Sequence, residues 1–235
     1  MRLFFISSLF VALLLCGCVS MLAGRQSTLR VFAPQLHVTP DAAWPVVDWD
    51  LAITKPSATR MIDSTRILVR STPNQLMVFH GIVWAQPPTE LIEDSILQSF
   101  EDSGHIKGVA RAGTGIGADF QLLMDIRRFE ADYTHSLKPE VRVDLEVKLL
   151  DNRSQNIVAA RNFSMTAAVD GTTSEAICLA FGHVLDQMNH AVVGWTLTTG
   201  QSAPRPPSTA PLPPTRREHR TSRLPSPKGN YTDAA

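Results

Sequence analysis

The sequence predicts a single α/β domain with a mixed, largely antiparallel sheet and two main helices packed on it, over residues 46–197. Three observations carry this. Val141, Val143, Leu145, Val147 and Leu149 alternate with charged residues, as in a strand with one buried and one solvated face. Two segments, near residues 89–103 and 172–195, repeat apolar residues at helical spacing. The order strands, helix, strands, helix suits helices layered on a sheet.

Taken in order, Leu29 to Phe32 reads as a first strand, and Pro34, Pro40 and Pro45 interrupt the stretch after it. Trp49 to Thr54, Arg66 to Arg70 and Leu76 to Phe79 read as short strands, the last two separated by Thr72-Pro73-Asn74. Thr89 to Ser103 comes after a proline pair, carries Glu90, Glu93 and Asp94 near its start and stops at Gly104. Early acidic residues suit the helix dipole and the glycine suits a C-cap. Its stripe is Ile92, Ile96 and Phe100, with Leu91 alongside.

Asp119 to Glu130 alternates through Phe120, Leu122, Met124 and Ile126, then breaks at Arg127-Arg128-Phe129, where a bulge or strand end is expected. Ile157 to Ala167 makes the next strand after Asp151-Asn-Arg-Ser154, placing Phe163 and Met165 on one side, so the three long strands form an antiparallel meander. Thr172-Thr-Ser-Glu175 has a capping-box pattern. The helix it opens continues through Ile177, Ala180, Phe181, Val184, Met188, Ala191, Val192 and Trp195.

The first residues are a processing signal and not part of the fold. Arg2 supplies positive charge, and the apolar run from Leu3 to Leu15 is shorter than the roughly 20 residues a spanning helix needs. Leu15-Cys16-Gly17-Cys18 resembles the bacterial lipobox, in which the thiol of the last cysteine is lipidated and the chain is cut before it. The expectation is a signal peptide over 1–17, lipid on Cys18 and a lipidated N-terminus and tether over 18–45. Several acyl chains make a stable anchor where one is marginal. Val19, in place of the aspartate that retains enterobacterial lipoproteins at the inner membrane, favours the outer membrane and its periplasmic face.

Residues 198–235 hold half of the sixteen prolines and are expected to be a disordered, basic tail. Beyond residue 200 there are six basic and two acidic residues, whereas residues 18–200 contain 15 Lys and Arg against 20 Asp and Glu. An acidic domain with a basic tail argues against nucleic-acid binding, which places the basic patch on the folded part.

Candidate chemistry is sparse. Maturation leaves Cys178 alone among apolar neighbours, reading as a small buried hydrophobe. Gly113-Thr-Gly-Ile-Gly117 does not match a dinucleotide fingerprint and precedes a strand, so a flexible connection is expected. His183, Asp186 and His190 fall at i, i+3 and i+7, where a solvated helix face outweighs a metal site. No metal or cofactor is expected. Trp84, with Pro87 and Pro88, is the candidate partner-binding feature, and two readings stand for it: a plug beneath the first helix, or an exposed anchor of the kind enriched in binding hot spots.

The series Asp63-Ser-Thr-Arg66-Ile-Leu-Val, Leu76 to Phe79, Trp84-Ala, Phe100-Glu-Asp-Ser-Gly104, Ala118-Asp-Phe-Gln-Leu, Ile126-Arg-Arg-Phe-Glu130 and Arg161-Asn-Phe163 resembles the ABC-type transport auxiliary lipoprotein family. The tail is an addition to the family's usual pattern. The resemblance implies a non-catalytic, periplasm-facing accessory of an MCE-type system that moves lipids or organic solvents. Its partners would be an MCE-domain protein with its ABC ATPase and permease, and a homo-oligomer is a further expectation. Two alternatives accompany it: a structural envelope lipoprotein holding cell wall or anionic lipid through its tail, and an envelope hydrolase with a site assembled from distant residues.

Overall fold

The computed structural model describes residues 29–36, 38–115 and 117–203. The elements are β1 (Arg30–Phe32), β2 (Val47–Ile53), β3 (Ser57–Ala58), β4 (Arg66–Thr72), β5 (Gln75–Trp84), α1 (Pro88–Ser103), β6 (Ile106–Arg111), β7 (Phe120–Asp132), β8 (Glu140–Asp151), β9 (Asn156–Ala168) and α2 (Ser174–Ser202). The strands make one mixed sheet, and both helices pack on it.

The long meander β7–β8–β9 is antiparallel throughout, as the alternation requires. Val141, Val143, Leu145, Val147 and Leu149 are buried toward the helices, with Phe120, Leu122, Met124 and Ile126 beside them. The break at Arg127 is a bulge: Ile126 pairs with Leu145 and Arg128 with Asp144, leaving Arg127 as the extra residue. Phe129 thereby returns to the buried face.

The other edge of β7 is shared by three parallel partners in succession: β2 at Phe120–Leu122, β3 at Asp125–Ile126 and β4 at Glu130–Asp132. Beyond β2 lies β6, also parallel, while β4 continues into antiparallel β5 and then β1, parallel to β5. One long strand thus joins two short sheet arms.

Helix α1 starts with Pro88, whose missing N–H is no loss in a first turn, and ends at Gly104 in the left-handed region. Helix α2 is capped by Thr173, whose Oγ1 accepts from the Ala176 N–H at 3.2 Å. That is one residue later than the box pattern placed it, and Glu175 instead pairs with Arg30 of β1.

Three boundaries differ from expectation. Residues 106–111 form a strand that their short, glycine-interrupted sequence does not announce. The lead-in joins the domain from Arg30, because Phe32 packs on Trp84 and Trp44 is buried. Helix α2 runs to Ser202, into the segment expected to be tail, because Leu197 and Gly200 are buried. The Oγ atoms of Thr198 and Ser202 also bond carbonyls four residues back. The signal segment 1–17, Cys18 and residues 204–235 lie outside the described residues.

Candidate functional site

Trp84 takes the first of its two readings. It is 2% exposed, with its ring 5.4 Å from Phe32, 5.3 Å from Phe129 and 4.9 Å from Phe181. The alternation of β5 turns it inward, and α2 covers it through Phe181, which stacks on Phe129 at 4.9 Å. The anchor reading does not fit, since no part of the ring is offered to a partner. Pro88 is buried in the first turn of α1, and Pro87 at the N-cap stays partly exposed. The three residues the sequence grouped therefore separate into core, helix start and surface.

Cys178 is 1% exposed, and burial pushes its thiol up to about 11, the opposite of what a nucleophile requires. His183 and His190 lie on the exposed side of α2, where the His190 ring rests 4.7 Å from that of Trp44. Among the described residues, no three His, Cys, Asp or Glu side chains are grouped to hold a metal ion. Gly113 and Gly115 adopt positive φ in the turn between β6 and β7, and no helix begins there.

The helix-free face of the meander is a lattice of opposite charges. Arg127 bridges Asp125 (2.5 Å) and Glu146. Lys148 meets Glu146 at 3.1 Å, and Asp144 accepts from Arg142 at 3.1 Å and from Ser164 at 2.5 Å. Lys148 and Arg127 hold the Glu146 carboxyl below its ordinary range. A shallow depression of about 370 Å³ lies among Arg127, Arg142, Asp144 and Glu146. Its charges already pair with one another, so it is a solvated face.

At the β4–β7 seam, Arg70 donates from Nε and Nη2 to Glu130 at 2.5 and 2.9 Å. Glu130 is 2% exposed, and this bond raises the Arg70 pKa. No local pattern in the sequence signals the pair, because its partners are sixty residues apart. The seam between α1 and α2 is also polar: buried Ser95 donates from Oγ to Oδ1 of buried Asn189 at 3.4 Å.

The fold and these placements define a mixed α/β scaffold in which Arg70 pairs with Glu130 and the charges on the helix-free face of the meander pair with one another. The chain belongs to the family described as the ABC-type transport auxiliary lipoprotein component, which it matches over residues 28–193. A crystal structure of a Xanthomonas campestris protein is 47% identical, with a TM-score of 0.71 over 73% of this chain and 96% of that one. A second crystal structure, of an uncharacterized protein, shares the fold at a TM-score of 0.56 and 11% identity, covering 71% of this chain and 97% of the other. An uncharacterized protein of Bradyrhizobium diazoefficiens is 26% identical over 187 residues, which are 75% of this chain and 49% of that protein. The chain therefore spans about half the length of that curated relative.

Proposed function

We propose that this protein is a non-catalytic, lipid-anchored accessory of an MCE-type ABC transport system, docking the transport conduit at the periplasmic face of the outer membrane. Family membership over residues 28–193 is the observation that carries the reading. The resemblance of Leu15–Cys18 to a lipobox supports the reading, with Cys18 as the residue that would carry the lipid. The scaffold's part is to hold a surface in place, while ATP hydrolysis belongs to partner chains. Movement of lipids or organic solvents between membranes is the cargo class this reading implies.

The test is a mild-detergent pull-down of the tagged full chain with mass spectrometry, beside a Cys18→Ala control. Recovery of an MCE-domain protein with its ATPase and permease is the expected result. Recovery of cell-wall or other outer-membrane proteins alone would overturn it. That outcome would favour the reading in which the basic segment after residue 200, with six basic residues against two acidic, holds an anionic surface.

A further inference from the structure

Strand direction fixes which end of this domain its N-terminal tether leaves from. Strand β1 runs parallel to β5, with Arg30 level with Ile82 and Phe32 with Trp84. The step from Arg30 back to Leu29 therefore points toward the earlier residues of β5 and the β4–β5 turn. The β7–β8 loop stands at that same end. Arg70 is in register with both Leu76 and Asp132, its carbonyl accepts the Tyr133 N–H at 2.9 Å, and Asp132 faces Glu140.

Three of the eight large exposed apolar side chains among the described residues stand at this end, and Val46 and Ile157 stand at the opposite one. Met77 is 49% exposed, Leu137 at the tip of the β7–β8 loop 93%, and Leu29 at the tether exit 61%. Val69, Met77 and Phe79 line an open apolar recess of about 330 Å³ on the hairpin. Lys138 is exposed directly beside Leu137. Single exposed apolar residues are ordinary on a protein surface. Here these three share one end with the tether.

Lengths decide between the two ends. Eleven residues lie between Cys18 and Arg30, a reach of at most about 40 Å fully extended. Helix α2 begins beside Arg30, through the Arg30–Glu175 pair, and its 29 residues run about 43 Å. It finishes where Gly200 meets Trp49, two residues before the Leu51–Phe120 register at the foot of β7. Turning that far end to the membrane would require a wholly extended tether doubling back along the domain. The near end needs no such stretch.

We propose that the β4–β5 hairpin and the β7–β8 loop rest on the bilayer that holds the lipidated N-terminus, with Met77, Phe79 and Leu137 at the headgroup boundary. Lys138 then meets lipid phosphate, and Ala203 faces away from the membrane. The inference rests on lipid attachment at Cys18 and adds to it an orientation.

The experiment uses the full chain, purified from the membrane and reconstituted in vesicles of phosphatidylethanolamine and phosphatidylglycerol. Spin labels are placed singly at Met77→Cys, Leu137→Cys and Ser154→Cys, the last in the β8–β9 turn at the opposite end. Buried Cys178 takes no label. The intact mass of each sample reports the lipid on Cys18. At 77 and 137 the labels are expected to lose access to an aqueous nickel complex and gain collisions with oxygen, consistent with a depth of ~5–10 Å. The label at 154 stays in water. Lipid present with all three labels equally water-exposed would overturn the orientation alone, and labels at 77 and 137 shielded from both reagents would point to a protein partner and overturn it too. A mass without lipid would overturn the anchoring and this inference together.

Discussion

Gly200 lies flat against the indole of Trp49: a Cβ at position 200 would stand 2.4 Å from Cζ2 and 2.9 Å from Cε2. Trp49 is wholly buried, and its ring meets Phe120 edge-on at 5.0 Å, so it cannot give way. One turn and a half earlier, Gly194 makes the same notch for Trp44, with a Cβ there 2.5 Å from Nε1. These two notches lock the last turns of α2 onto β2 and the lead-in. Gly200→Ala gains up to ~1 kcal/mol of helix propensity but overpacks a full site, which costs ~1–3 kcal/mol. A net loss of stability in urea unfolding is expected. Gly194→Ala should cost less, because Trp44 is the more exposed of the two rings.

Trp84→Ala empties the centre of the Phe32, Phe129 and Phe181 cluster and should cost ~3–5 kcal/mol. Trp84→Phe should cost much less, since Nε1 of Trp84 has no hydrogen-bond partner to lose. Thermal unfolding of both variants checks this. A Trp84→Phe variant as unstable as Trp84→Ala would mean the indole nitrogen has a function of its own.

Breaking the Arg70–Glu130 pair strands a charge at the seam between β4 and β7. Glu130→Leu should destabilise by ~3–5 kcal/mol, and adding Arg70→Met should recover most of the loss, because the desolvated charge goes with it. Denaturant unfolding of the two single variants and the double variant gives the coupling directly.

Asp132 ends β7 and accepts from both the N–H and Oγ1 of Thr134, at 2.8 and 2.6 Å. Burial opposes its ionisation, yet these bonds, His135 and Arg70 hold its pKa below the ordinary value. The unfolded chain therefore takes up the proton first as pH falls. The stability Asp132 supplies is complete above its unfolded pKa and is lost as pH drops through the lower, folded value. Asp132→Asn should reduce stability near neutrality and flatten its decline in acid, read by urea midpoints from pH 7 to 3.

The Cys178 thiol should resist maleimide at pH 8 in the native protein and react at once in denaturant. Burial raises its pKa from 9.0 to about 11, so the unfolded chain ionises first. Stability should begin to fall as pH passes 9, and Cys178→Ala should remove that slope.

The sequence by itself determined which face of each long element is buried. Strict alternation at Val141–Leu149 and the stripe from Ile177 to Val192 leave one arrangement that removes their apolar atoms from water, and the interrupted alternation at Arg127 marks the bulge. The resemblance of Leu15-Cys16-Gly17-Cys18 to a lipobox is likewise a wholly local pattern. Periodicity says nothing of neighbours. The succession of β2, β3 and β4 along one edge of β7, the strand β6 hidden in Ile-Lys-Gly-Val-Ala-Arg, and the Arg70–Glu130 pair are non-local, and only the assembled sheet decided them. Trp84 is the sharpest instance. A large ring beside two prolines suits a surface or a core equally well, and its place was decided by Phe181, ninety-seven residues later in the chain.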